Sequence, residues 1–88
     1  MKRRTSYEII FDILRVVQEN GKVDKTRIMQ GIYLEYTAFQ KYFNYLLEGG
    51  LITKCNLDFE FYELTKDGKE VLDKLMEVNE LMYHPRTE

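Results

Sequence analysis

The stretch IMQGIYLEYTAFQKYFNYLLEGGLI, residues 28–52, decides the fold of this 88-residue chain. A short helical pattern ends at Tyr33 and Leu34, a tight connection follows, and a second amphipathic helix runs into Gly49 and Gly50. Glycine is favoured at such a helix end because it adopts the left-handed conformation without steric cost. The stretch therefore predicts two helices joined by a short turn, with a strand beginning directly after the second helix.

The second helix of this stretch has an apolar side and a polar side. At 100° per residue the apolar side chains share one side, with Tyr42 at its edge: Phe39, Tyr42, Phe43, Leu46 and Leu47. The polar side consists of Thr37, Gln40, Lys41, Asn44 and Glu48. Either Glu35 or Thr37 begins the helix, and Thr37 with Gln40 matches a capping box. Such a face can pair with base edges in a DNA major groove, and a merely solvated helix face has the same composition.

The residues before this stretch predict one further helix and the start of the next. Thr5 and Glu8 match a capping box, after which apolar side chains recur at helical spacing until Asn20 and Gly21. These side chains are Ile9, Ile10, Ile13, Leu14, Val16 and Val17. The connection after the first helix is long enough for a single β-bridge residue, at Val23. Asp24 can cap the following helix, whose inner face is Ile28, Met29 and Ile32.

The residues after the stretch predict a hairpin and a long last helix. Leu51–Cys55 and Phe59–Leu64 are rich in β-branched and aromatic residues, and residues 56–58 form the loop between them. Ile52, Tyr62 and Leu64 are the expected inward positions of this hairpin. Thr65 caps the last helix, which ends near Met82 because Pro85 cannot continue it. The predicted organisation is a basic arm (1–4), a domain (5–65), a terminal helix (66–83) and a tail (84–88). The fold class is α+β and mostly α.

The terminal helix carries an apolar stripe at alternating spacings near three and four residues, typical of a helix pairing with its own copy. The predicted interface consists of Leu64, Val71, Leu72, Leu75, Val78, Leu81 and Met82, with Phe11, which lies off the inner stripe of the first helix. At 1.5 Å per residue the helix is about 27 Å long, so its far end is expected to extend past so small a body. A homodimer is predicted, and a helix folded back on its own domain is the alternative.

Composition narrows the function classes. The net charge of −2 conceals an asymmetry, since residues 1–54 carry a net +3 and residues 55–88 a net −5. A phosphate-facing surface is therefore expected in the first half. One cysteine excludes an internal disulfide and fits the cytoplasm, and no apolar run is long enough for a membrane span. A single histidine and the absence of a glycine-rich phosphate loop argue against an enzyme, and no cofactor or metal is expected.

The stretch from Ile9 to Leu72 resembles the small archaeal winged helix-turn-helix regulators, including coiled-coil dimers described as chromatin proteins. The matching pieces are EIIFDIL (8–14), KTRIM (25–29), LEYTAFQKYFNYLLEGGLI (34–52) and YELTKDGKEVL (62–72). The resemblance implies that the third helix is the recognition helix, the hairpin is the wing and the terminal helix pairs two subunits. Two features depart from the family pattern: the wing carries Asp58 and Glu60 where basic residues are usual, and Glu35 stands where serine is frequent.

These observations predict a transcriptional regulator that binds double-stranded DNA as a homodimer. The expected DNA contacts are Tyr36, Thr37, Gln40, Lys41, Asn44, Lys25, Arg27, Lys54, Arg3 and Arg4. For Tyr36 the residues leave two roles open, a hydroxyl that reaches a phosphate and a ring that packs against the second helix. Two other functions fit the same fold: a protein-interaction module that uses exposed Phe11, Phe59 and Phe61, and an architectural protein that binds DNA without sequence preference.

Overall fold

Helices dominate the computed structural model, which describes residues 4–55 and 60–83. The elements follow in the order α1 (Ser6–Asn20), β1 (Val23–Asp24), α2 (Lys25–Ile32), α3 (Tyr36–Glu48), β2 (Ile52–Lys54), β3 (Phe61–Leu64) and α4 (Lys66–Tyr83). The predicted α+β, mostly helical class is confirmed. None of these helices combines the length and the apolarity needed to cross a membrane.

Local side-chain caps start the first two helices as the sequence predicts. The hydroxyl of Thr5 accepts the Glu8 backbone N–H at 3.1 Å, and the Glu8 carboxylate accepts the Thr5 N–H at 2.9 Å. Asp24 accepts the N–H of Arg27 at 2.8 Å at the start of α2. Each cap satisfies a backbone donor that has no partner within its helix.

Two starts were predicted for α3, at Glu35 and at Thr37, and the structure shows the one at Glu35. Glu35 is the N-cap, and its carboxylate accepts the Ala38 N–H at 3.3 Å. Thr37 is therefore already inside the helix, and the predicted capping box of Thr37 with Gln40 is wrong. As a consequence the side chain of Thr37 stays exposed on the outer face of α3.

The hairpin is part of a three-stranded antiparallel sheet of order β1–β3–β2. Val23 pairs with Tyr62, so the predicted single bridge is a two-residue strand. Ile52 pairs with Leu64, and Ile52, Tyr62 and Leu64 are buried as predicted. Both wing strands are shorter than predicted, although the Cys55 N–H still donates to the Phe61 carbonyl at 2.9 Å. The predicted loop and Phe59 lie outside the described residues.

One core joins all the elements, and α1 contributes four of its buried side chains. The buried set is Ile9, Ile13, Leu14, Val17, Val23, Ile28, Ile32, Phe39, Phe43, Leu46, Ile52, Tyr62, Leu64 and Leu72. The Phe43 ring contacts Phe39 at 5.4 Å and meets Tyr62 edge-on at 4.8 Å between centroids. Burial raises the pKa of the Tyr62 hydroxyl, and the Glu60 carboxylate raises it further, so this phenol stays neutral in the core.

Two predictions about apolar surface residues are wrong. Phe11 is half-buried and packs against the core, with the Arg15 guanidinium 5.7 Å from its ring centroid. Leu64 and Leu72 are buried in the monomer, because Leu64 ends β3 and Leu72 faces the body from the first half of α4. Neither leucine is available to a second subunit.

Helix α4 runs antiparallel to α1. Its start lies beside the end of α1, where Lys69 lines one depression with Gln18. Its far half lies beside the start of α1, where Val78 and Met82 line a groove with Tyr7. The far end of α4 thus rests beside the domain, contrary to the expected overhang, but its side chains remain exposed.

Two glycines lie inside helices, and a side chain is sterically excluded at one of them, Gly68. A methyl group at Gly68, in the first turn of α4, would collide with the backbone carbonyl of Leu51 and lie 2.9 Å from its carbon. The same corner is held by Thr65, whose hydroxyl donates to the Gly50 carbonyl at 2.6 Å and accepts the Gly68 N–H at 2.9 Å. A methyl group at Gly31 would meet only the side chain of Val16, at 3.3 Å.

We expect Gly68→Ala to lower the free energy of unfolding by about 2 kcal/mol or more, because backbone must move to admit the methyl group. Gly31→Ala is the matched control, since it adds the same methyl group within a helix against a side chain that can shift. We expect it to change stability by less than about 1 kcal/mol. Urea unfolding at one fixed protein concentration, followed by circular dichroism, measures both. Equal losses would contradict the close approach of α4 to Leu51.

Candidate nucleic-acid interface

The outer face of α3 presents polar side chains to solvent. Thr37, Lys41 and Asn44 are exposed at spacings of four and three residues, so they share one side of the helix. The Lys41 ammonium lies 5.8 Å from the ring centroid of Tyr42. The inner face is fixed by Phe39 and Phe43 in the core. The predicted two-sided character of this helix is confirmed.

Gln40 differs from its neighbours on this face. It is half-buried, and its side-chain oxygen is enclosed without a hydrogen-bond partner among the described residues. A buried acceptor left unpaired is destabilising by about 1–3 kcal/mol. In this conformation the Gln40 side-chain oxygen is therefore not available to a base edge, and it becomes available only when the side chain turns outward.

The turn between α2 and α3 carries two exposed tyrosines. Tyr36, the first residue of α3, is 62% exposed, so the alternative in which its ring is buried against α2 is not observed. Tyr33 ends α2 in the left-handed conformation, with φ 53° and ψ 48°, and its side chain is 92% exposed. Sequence reasoning missed Tyr33. The available signal was a bulky aromatic at a helix end where glycine or asparagine is usual.

The predicted phosphate-contacting cations have different environments. Arg27 and Lys54 are exposed, on α2 and β2. Lys25 is half-buried, and its ammonium lies 4.9 Å above the centroid of the Phe43 ring. This cation–π contact ties the start of α2 to the inner face of α3.

Arg4 is bound to the body of the domain rather than lying in a free arm. Its guanidinium donates to Asp12 of α1 at 2.8 Å, to the Ile32 carbonyl at 2.5 Å and to the Tyr33 carbonyl at 3.5 Å. The two carbonyls belong to the end of α2, where backbone acceptors lack partners within the helix. Arg4 is therefore part of the folded domain rather than of a separate arm, and its predicted DNA contact stays a prediction. Arg3 lies outside the described residues.

A groove of about 440 Å³ separates the start of α1 from the exposed flank of α3. Ser6 and Ile10 form one wall, and Lys41 and Tyr45 stand on the other. A 2.8 Å hydrogen bond between the hydroxyls of Ser6 and Tyr42 crosses the groove and holds the two helices together. In residues 4–55 and 60–83 no group of three or more potential metal-ligating side chains is assembled.

The element order and the exposed third helix define a winged helix-turn-helix protein, with β2 and β3 as the wing. A family model described as winged helix-turn-helix matches residues 3–83. The chain belongs to that family.

Relatives of the chain are archaeal. The uncharacterized protein MJ0287 of Methanocaldococcus jannaschii is 38% identical over 80 residues, which cover 91% of this chain and 78% of that protein. The uncharacterized protein MJ0290 of the same organism is 37% identical over 81 residues, and the match spans 92% of this chain and only 36% of MJ0290. The resemblance to small archaeal winged-helix proteins is thereby confirmed.

A solved structure is similar over the whole length. Sso10a-2, described as a DNA-binding protein from Sulfolobus solfataricus, superposes with a TM-score of 0.74 at 30% sequence identity. The match covers 97% of this chain and 100% of Sso10a-2, so it includes the terminal helix as well as the wing.

We expect Arg4→Ala to lower the free energy of unfolding by about 1–2 kcal/mol, because it leaves Asp12 and two carbonyls without this charge-assisted donor. Arg15→Ala is the matched control: its guanidinium lies 3.9 Å from the other oxygen of Asp12 and is exposed. We expect the control to change stability by less than about 0.5 kcal/mol. Urea unfolding compares the two, and equal effects would contradict a structural role for Arg4.

Proposed function

We propose that the protein binds double-stranded DNA and places the outer face of α3 in the major groove. The observation that carries this proposal is the exposed set Thr37, Lys41 and Asn44 on the third helix of a winged helix-turn-helix fold. The likeness to Sso10a-2, which is described as DNA-binding, supports it. A helix with this outer face fits a major groove, where base edges present distinct donors and acceptors.

The polar side chains of this face would make different contacts with DNA. Asn44 is suited to paired hydrogen bonds with adenine, and Lys41 reaches guanine or a phosphate. Gln40 has the same capacity as Asn44 but must first release its enclosed oxygen, so its contact includes a rotamer change. Because that oxygen is unpaired in the free protein, a bond to adenine compensates for the rearrangement.

Phosphate contacts come from cations around α3. Arg27 and Lys54 are exposed and can reach the backbone on either side of the recognition helix. Lys25 contributes chiefly by packing over Phe43, and Arg4 by holding the turn. The proposed positive surface is therefore smaller than the sequence alone suggested: Lys41, Arg27 and Lys54 are its main charges.

We further propose a homodimer formed by the far half of α4. Val71, Leu75, Val78 and Met82 follow one another at spacings of four, three and four residues and so form a single stripe. Val71 and Leu75 are partly covered by the core, whereas Met82 is 68% exposed. An apolar stripe that continues from the core into solvent is stabilised when a second copy covers it.

The proposed mechanism is occupancy of a DNA site, by which the bound dimer regulates transcription. Two recognition helices would read two half-sites about 34–36 Å apart if the dimer is compact. The proposal includes a cytoplasmic location, because the DNA of an archaeal cell lies there.

We expect wild-type protein to bind a fluorescent random-sequence duplex with an affinity that falls steeply between 50 and 200 mM salt. Lys41→Ala should weaken binding and reduce the slope of log affinity against log salt by about one for each subunit bound. Asn44→Ala and Gln40→Ala should relax the preference for a selected site over the random duplex. Fluorescence anisotropy measures all of these quantities.

The matched control for Lys41→Ala is Lys74→Ala, which removes an exposed lysine from α4, away from the recognition face. We expect the control to bind as the wild type does. If the wild type binds no duplex at low salt, DNA binding is excluded, and a protein partner becomes the alternative. If it binds every duplex equally and the selection yields no site, the protein is an architectural one.

We expect the wild type to sediment with twice the 10.6 kDa mass of the chain. Met82→Glu should weaken dimerisation at least about tenfold, because a carboxylate would enter an apolar interface. Met76→Glu is the matched control, since Met76 is also exposed (49%) but lies about 120° away around the helix. Analytical ultracentrifugation distinguishes the two variants. A monomeric wild type, or equal effects of both changes, would contradict the proposed interface.

A further inference from the structure

Tyr33 combines two unusual properties. Its side chain is 92% exposed, more than that of the other exposed large hydrophobic residues in the described parts of the chain. It is also the one described non-glycine residue with a positive φ. A tyrosine in this conformation is disfavoured relative to glycine, because its Cβ approaches the neighbouring carbonyl oxygen. Because its ring is exposed, packing against the domain offsets little of this conformational cost.

The turn that carries Tyr33 is held from both sides. The Tyr33 N–H donates to the Met29 carbonyl at 3.2 Å, which closes the end of α2. The Arg4 guanidinium donates to the carbonyls of Ile32 and Tyr33 and is itself anchored on Asp12. The backbone at Tyr33 is therefore fixed before any partner binds, which reduces the entropy lost when a contact forms.

The position of Tyr33 indicates which partner its ring meets. It lies two residues before Glu35, the N-cap of α3, and three before the exposed Tyr36. In a helix-turn-helix the helix before the recognition helix crosses the phosphates, so the turn between them lies near the DNA backbone. Tyrosine hydroxyls are among the side-chain groups that bind phosphate oxygens.

We propose that Tyr33 is a DNA-backbone contact, held at the turn in a left-handed conformation so that its hydroxyl donates to a phosphate oxygen and its ring lies against the adjacent sugar. This inference rests on the proposed DNA binding. The contact is electrically neutral and lies before the face of α3. It therefore contributes affinity for any duplex and positions α3, while Asn44 and Gln40 discriminate sequence.

The conformation of Tyr33 permits a test that separates binding from stability. Tyr33→Gly removes the ring and relieves the backbone strain, so its melting temperature should equal or exceed that of the wild type. Its affinity should fall about three- to tenfold on the selected and the random duplex alike, the loss expected for one hydrogen bond with its packing. The salt dependence should stay unchanged, because no cation is lost, whereas Lys41→Ala reduces it.

Two further variants complete the test. Tyr33→Asn also suits the left-handed conformation and should reproduce the loss of Tyr33→Gly, which keeps the test valid if one variant folds poorly. Tyr33→Phe retains the ring and should show an intermediate loss. If the wild type binds DNA and Tyr33→Gly and Tyr33→Asn bind as tightly, within twofold, Tyr33 is not a contact, and the inference is wrong while the proposed function stands. If the wild type binds no duplex, both are wrong.

Discussion

The ring of Phe43 is the contact on which the orientation of α3 depends. It meets Phe39 of the same helix, Tyr62 of β3 edge-on and the ammonium of Lys25 from α2, at centroid distances of 5.4, 4.8 and 4.9 Å. One buried ring therefore joins two helices of the motif to the central strand of the sheet. Because the inner face of α3 is fixed in this way, Thr37, Lys41 and Asn44 are directed outward.

A second fixed point lies where α4 begins. Thr65 and Gly68 bring the first turn of α4 into contact with the backbone of Gly50 and Leu51, directly after the end of α3. Leu72 then joins the core one turn further along. The two attachments hold the first half of α4 to the domain and leave the last turns exposed beside α1. The same helix thus completes the monomer through Leu72 and offers an apolar stripe, which begins at Val71 and Leu75, partly covered by the core, and ends at the exposed Met82.

The helices were predicted well from the sequence, because the interactions that begin a helix and orient its faces join residues only a few positions apart. The capping box of Thr5 with Glu8 and the inner face of α3 are of this kind, because helical periodicity alone decides which residues share a side. Predictions that required distant contacts were less successful. Phe11 seemed exposed until α1 was placed against its neighbours. Leu72 could not be assigned to the core until the path of α4 along the domain was known.

The candidate interface was likewise predictable where local periodicity decides, and not where distant contacts decide. The outer face of α3 follows from periodicity, but Arg4 binds carbonyls 28 and 29 residues away, which no local pattern reveals. Gln40 illustrates another limit: its place on the polar side is predictable, whereas the enclosure of its oxygen depends on neighbouring packing. Tyr33 was missed because exposure and backbone conformation, rather than residue type, distinguish it from the other tyrosines.

The distribution of charge is compatible with the proposed binding of DNA by a chain whose net charge is negative. The excess of carboxylates lies in residues 55–88. Five of these carboxylates are on α4, beside three lysines, and α4 packs against α1 rather than against the outer face of α3; Glu60 and Glu63 lie at the wing. A helix with its side chains is about 10–12 Å across, whereas charges in physiological salt are screened over about 8 Å. In the proposed complex, a phosphate at α3 would therefore be attracted chiefly by Lys41, Arg27 and Lys54 and would be little affected by α4. At lower salt the repulsion from α4 would extend further, so in the proposed complex this asymmetry would orient an approaching duplex towards α3 and disfavour contact through the terminal helix.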